Sequence, residues 1–134
     1  MIRSLFCLLV PVLLSAAPAP KILSPAATVQ RQIEMFNAHD LEGFLLLFAE
    51  ELEVFEIPGP ALPTGKARLR ELYGERFKAN PDLHVSADAQ ILSGSFVIQK
   101  EKLKGRADKK ETLEVLVIYQ VKAGKIVRMW GLRE

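Results

Sequence analysis

Asn37-Ala38-His39-Asp40-Leu41-Glu42-Gly43-Phe44-Leu45-Leu46-Leu47-Phe48-Ala49-Glu50-Glu51-Leu52-Glu53-Val54-Phe55-Glu56-Ile57-Pro58 is the stretch from which the rest of the chain is read. Asn37-Ala38-His39 closes one helix, and Asp40 is a good N-cap for the next. Leu41, Phe44, Leu45 and Phe48 recur at helical spacing and form a strongly apolar face. Leu52 to Ile57 alternates weakly, as a strand does, and stops at Pro58. The proline-rich run Pro58 to Pro63 reads as a loop or rim without regular structure.

Upstream, Ser24-Pro25 marks a helix start, with serine as N-cap and proline at the first helical position. Val29, Ile33 and Phe36 continue it at helical spacing, and Arg31 and Glu34 turn away. The chain begins differently. Met1 to Ser4 carries one positive charge, Leu5 to Leu14 is almost wholly apolar, and Ser15-Ala16-Ala17 supplies small residues. That is the three-part pattern of a secretory signal peptide. Residues 1–19 are read as signal peptide and spacer, and residues 20–134 as a single exported domain, periplasmic or secreted. The apolar run is shorter than the ~20 residues a membrane-spanning helix needs, so no stable membrane insertion is expected after cleavage.

Downstream, Thr64 opens a third helix that runs to Ala79, with Leu69, Tyr73 and Phe77 on one side. Strands follow at Leu83–Leu92 and Phe96–Lys104 about a Ser93-Gly94 turn, then at Leu113–Val121 and Lys125–Leu132 about Ala123-Gly124. Three helices, one intervening strand and four hairpin-linked strands make an α+β domain with a curved antiparallel sheet wrapped against helices.

Composition excludes several function classes. Eighteen basic against sixteen acidic residues give a net charge of +2, which offers no electrostatic case for nucleic acid. The single cysteine, Cys7, lies in the leader, so the mature domain has no thiol nucleophile and no disulfide. Two histidines 45 positions apart form no metal-binding motif, and neither metal nor cofactor is expected. Gly59 to Ala67 imitates a phosphate loop, but it has one residue too many between its glycines and prolines where N–H donors are required.

The segment from Val29 to Glu51, Thr64-Gly65-Lys66, and Tyr119 to Val127 together resemble the nuclear-transport-factor-2-like superfamily, which includes SnoaL-like cyclases and steroid delta-isomerases. The resemblance covers the mature chain. It implies a cone, a bent sheet around an apolar cavity capped by the first helices, often in a homodimer. The isomerase general base falls on Glu56, its tyrosine on Gln32 and its protonated aspartate near Val117. With the oxyanion pair missing, steroid isomerisation by the family mechanism is not expected.

Three groups could carry chemistry. Glu56, between apolar neighbours, is either a desolvated acid or base inside the cone or an exposed edge-strand residue. A turn at Ser93-Gly94 would pair His84 with Leu103 and set His84 and Glu101 one diagonal apart on the same face, an acid/base pair if that face lines the cavity and a wet surface if not. A turn at Ala123-Gly124 would put Tyr119 opposite Arg128 and Trp130 opposite Val117, so that Tyr119 and Trp130 share a face as core or as ligand-contacting walls, with Phe36 and Phe44 as further wall residues. His39, in the bend, reads as exposed. The expected function is binding of a small, largely apolar molecule in the cone, with general acid/base turnover of an isomerase, cyclase or hydratase kind. The alternative is a non-catalytic ligand-binding or dimerisation module.

Overall fold

The computed structural model describes residues 15–62 and 64–132; the apolar leader through Leu14 lies outside the described residues. Residues 15–24 carry no regular structure. Helix α1 spans Pro25–Asn37, with the Ser24 hydroxyl accepting from the Ala27 amide and proline in its first turn. Helix α2 spans Leu41–Leu45, capped by Asp40, whose carboxylate accepts from Gly43 N–H at 2.9 Å. Strand β1 spans Phe48–Ile57, so Phe48 opens the strand instead of extending α2. The rim segment does contain one regular piece: β2, Ala61–Leu62, pairs antiparallel with Phe55 and Val54. Helix α3 spans Lys66–Ala79 and starts after Gly65, whose φ of +98° favours glycine. Thr64 therefore precedes the cap and does not form it. Strands β3 (His84–Ser93), β4 (Phe96–Lys104), β5 (Leu113–Lys122) and β6 (Lys125–Leu132) complete the chain.

The six strands form one sheet in the order β2-β1-β6-β5-β4-β3. Every pairing is antiparallel except β1 with β6, which run parallel. The sheet curves about the helices. Helix α1 lies across β3, β4, β5 and β6, and α3 packs on β1 and α2. Phe36, Phe44, Tyr73 and Phe77 join the helices through ring contacts of 4.7 to 6.3 Å between centroids. Phe44 is fully buried in that cluster.

The bend at residues 37–40 has a structural purpose. Asn37 Nδ2 donates to the Val85 carbonyl and its Oδ1 accepts from the Val85 amide, both at 2.8 Å. One side chain thus satisfies both backbone groups of a residue on an edge strand, as a neighbouring strand would. His39 adopts φ +52°, stacks on Phe77 at 4.7 Å and donates through Nε2 to the Leu83 carbonyl at 2.9 Å. It is half-buried and serves as a clasp, not as the free surface residue its position suggests.

Two bulges decide which side chains face the helices. The first hairpin turns at Gly94-Ser95, one residue later than expected, and Ser93 pairs with Phe96. Asp88 is then an extra residue on β3, between the Ala87–Glu101 and Ala89–Lys100 pairs. His84 consequently faces Lys104, while Val85 faces Leu103. In the second hairpin Val127 is the extra residue, between the Val121–Ile126 and Gln120–Arg128 pairs. Tyr119 therefore faces Met129, and Trp130 faces Ile118. A one-residue change of register moves a side chain to the opposite face.

Candidate functional site

A cavity of about 200 Å³ opens between the sheet and helices α1 and α3. Its walls are mostly apolar and include Phe36, Leu69, Val115, Val117 and Met129. Gln32, Glu56, Tyr73, Arg76, Glu101 and Tyr119 bring polar atoms to it. Gly131 leaves room at the floor, where an added Cβ would still stand 4.0 Å from Val115.

Glu101 and Tyr119 form a short polar contact at the wall of this cavity. They extend from adjacent strands on the same face, and Tyr119 Oη donates to Glu101 Oε1 at 2.6 Å. Gln99, on the same face of β4, donates through Nε2 to the same oxygen at 2.8 Å and accepts from Gln90 Nε2 at 3.2 Å. A hydrogen-bonded line thus runs from edge strand β3 to the interior. Glu101 Oε2 has no hydrogen-bond partner among the described residues, yet it is not a sealed atom. Burial pushes the Glu101 carboxyl above its usual range, against the opposing pull of the Tyr119 and Gln99 hydrogen bonds. The same burial and the neighbouring carboxylate raise the Tyr119 phenol well above its normal value, so it remains a proton donor.

Glu56 also borders the cavity, from β1. It sits beside Gly131, which pairs with Val117, which in turn pairs with Gln99. Three strand spacings separate Glu56 from β4, about 14 Å along the sheet. The two acids therefore stand on different strands, with β6 and β5 between them. Gln32 is buried on the inner face of α1, and its Oε1 has no hydrogen-bond partner among the described residues. Phe36 lines the cavity; Phe44 lies behind it in the helix cluster.

Two expected placements are corrected. His84 is exposed and lies on the opposite face from Glu101, so the His84–Glu101 pair does not form. Trp130 lies on the outer face of the sheet, stacked on Phe55 at 5.6 Å and near Phe96 at 6.2 Å, so it shares no wall with Tyr119. In both cases the cause is an extra residue that alternation alone does not reveal. Sequence patterning does not single out Gln99, Gln32 or Arg76 as site residues. Gln32 left a signal: it falls on the same helical stripe as Val29, Ile33 and Phe36, where an amide is out of place. Among the described residues, no group of His, Cys, Asp and Glu is arranged to hold a metal ion.

The sequence matches the SnoaL-like domain over residues 29–129, which is most of the chain and all of the cavity except Gly131. The chain belongs to the SnoaL-like domain family. Solved structures of the same fold include a cystatin-fold protein from Novosphingobium aromaticivorans, with a TM-score of 0.74 and 20% identity over 83% of this chain and 99% of that one. IdmH from Streptomyces antibioticus, a proposed polyketide cyclase, has a TM-score of 0.69 and 20% identity over 81% and 91%. TerC, co-crystallised with polyporic acid, has a TM-score of 0.69 and 15% identity over 82% and 91%. At these identities the likeness is one of fold. A comparison with curated proteins finds no relative. In this SnoaL-like cone the tyrosine and acid that meet are Tyr119 and Glu101. Gln32 and Val117 both line the cavity.

Proposed function

We propose that this SnoaL-like domain is exported, binds a small, largely apolar molecule in the cone, and moves a proton on it through Glu101. The observation that carries this reading is the Tyr119–Glu101 hydrogen bond at the wall of an otherwise apolar cavity, with Glu101 Oε2 left open. A carboxylate with a raised pKa is a better base than a solvated one and a usable acid nearer neutral pH. Tyr119 and Gln99 hold Oε1 and so orient Oε2. The reaction class that fits is proton transfer at a carbon next to a carbonyl, as in isomerisation or ring closure. Glu56 contacts the ligand from the other wall. The cyclase and ligand-bound neighbours of the same fold support a cavity of this use. Export rests on the sequence pattern of residues 1–17.

The test starts with native mass spectrometry of the purified protein for a retained lipophilic molecule. Solvent deuterium incorporation into that molecule, followed by NMR, then reports proton transfer. Glu101→Gln should reduce exchange ~100-fold or more while leaving binding intact. Unchanged exchange in that variant would remove Glu101 from the reaction.

One observation favours the second reading, a dimerisation module. The outer sheet face presents Phe55, Trp130, Ile118, Leu116 and Ile91, of which Leu116 and Ile91 are exposed. Such a face is suited to cover a second copy of itself. Sedimentation analysis of wild type and Ile118→Glu checks this: a dimer that dissociates in the variant supports it, and a monomeric wild type removes it.

A further inference from the structure

The cavity does not end at its apolar walls. Arg76, Leu103 and Leu113 border it and also border an adjoining hollow of about 370 Å³, lined further by Asn80, Arg106 and Asp108. We infer that this hollow takes the anionic head of the ligand, so that the cone binds an amphipathic carboxylate with its apolar rings inside and its carboxylate between Arg76 and Arg106. The inference rests on the cavity being a ligand site.

The two arginines come from different elements. Arg76 is in the last turn of α3, with its guanidinium 4.8 Å from the Tyr73 ring centroid, a contact that aligns it along the cavity mouth. Arg106 follows β4 in a loop that is held firmly. Asn80 Oδ1 accepts from the Ala107 amide at 2.8 Å, and Asn80 Nδ2 donates to the Arg76 carbonyl at 2.8 Å. Gly105, at φ +79°, passes so close to Asp82 that an added Cβ would stand 1.9 Å from its carbonyl oxygen. The backbone bearing Arg106 is therefore fixed against the end of α3.

Neither guanidinium makes an ion pair among the described residues. Arg106 Nε is buried with no acceptor, and Nη2 reaches only the Glu111 carbonyl at 3.5 Å, the outer limit of a hydrogen bond. Asp108 is the carboxylate bordering this hollow, so two cations face one anion there. An oxyanion would neutralise the excess, and guanidinium forks match a carboxylate well. The cavity sets the size of the apolar part. A 150 Å³ apolar cavity holds benzene, so about 200 Å³ suits a bicyclic ring.

Isothermal titration with 2-naphthoate and its neutral counterpart 2-naphthamide, at neutral pH and low salt, tests the inference. Wild type should bind the carboxylate about tenfold more tightly than the amide. Arg106→Gln and Arg76→Gln should each remove much of that preference, and the double variant should bring the ratio to about one. Amide affinity should stay unchanged in Arg106→Gln, whose residue does not border the apolar cavity, which shows that this variant is folded. Equal affinity for the two probes in wild type, or a preference that survives both substitutions, overturns the anion site and leaves the cavity reading intact. Binding of neither probe defeats the cavity reading and the anion site with it.

Discussion

Tyr119 and Glu101 are eighteen residues apart in sequence and 2.6 Å apart at their hydrogen-bonding oxygens. The bond forms because both side chains point to the helix side of adjacent strands, and because Gln99 holds the same carboxylate oxygen from the side. An acid so placed has a consequence for stability that is visible by titration.

The carboxyl of Glu101 lies above its usual pKa of 4.5 in the folded chain, first because of burial. A raised folded pKa means that the native state holds the proton more tightly than the unfolded chain. Its contribution to stability is full below the unfolded value and is lost as pH rises through the folded one. Urea midpoints of wild type minus Glu101→Gln should therefore be most favourable near pH 4 and fall as pH increases. Glu34, Glu42, Asp88 and Glu114 work in the opposite direction, since each is depressed by a side-chain hydrogen bond to a basic residue and loses stabilisation as pH falls. Those four are common to both proteins and cancel in the difference. A difference that grows with pH would contradict the burial of Glu101.

Gln32 carries a buried carbonyl oxygen without a partner among the described residues. Leaving such a group unpaired costs about 1–3 kcal/mol. Gln32→Met keeps the shape and removes the polar atom. It should raise stability by about 1 kcal/mol, read as a higher urea midpoint with unchanged slope. No gain would mean that the amide finds a partner in solution.

His84 is exposed beside Lys104 and away from the cavity. His84→Ala should change stability by less than about 0.5 kcal/mol and leave ligand affinity and proton exchange unaltered. A loss of exchange comparable with that of Glu101→Gln would require a different arrangement of the hairpin.

Ala123 occupies a left-handed conformation, φ +48°, in a tight turn with Gly124 at φ +71°. A β-carbon there costs about 1 kcal/mol, and Asn-Gly is the preferred pair for two consecutive positive φ angles. Ala123→Asn should stabilise by roughly 0.5–1 kcal/mol in thermal or urea unfolding. Gly124 has no such freedom, because a Cβ there would meet Ile22 at 3.3 Å.

The parts of this fold that are legible in sequence are those with local causes. Ser24-Pro25 and Asp40 start helices by filling unsatisfied amides, and they do so in the structure. The helical stripes of Val29, Ile33, Phe36, Phe44 and Leu45 all reach the core. The parallel β1–β6 pairing was not legible, because no local pattern specifies which strand lies beside β1. The inward direction of Tyr119 was within reach, whereas the strand face carrying Glu101 reads equally as pocket lining or as wet surface. The assignment of His84 and Trp130 depended on counting residues from a turn, and Asp88 and Val127 each break the count. Bulges arise from backbone geometry and leave little mark on composition.

Those two extra residues are also the places where the cone can lose length without being re-lined. Deleting Val127 would close its bulge and leave Val121–Ile126, Gln120–Arg128 and Tyr119–Met129 as successive pairs, with Met129 still on the inner wall and Trp130 still outside. Deleting Asp88 would likewise make Ala87–Glu101 and Ala89–Lys100 successive pairs, with Val85 inward and His84 outward as before. Strand length at these two places can thus change by one residue while the chamber keeps its lining, every helix cap and every core stripe.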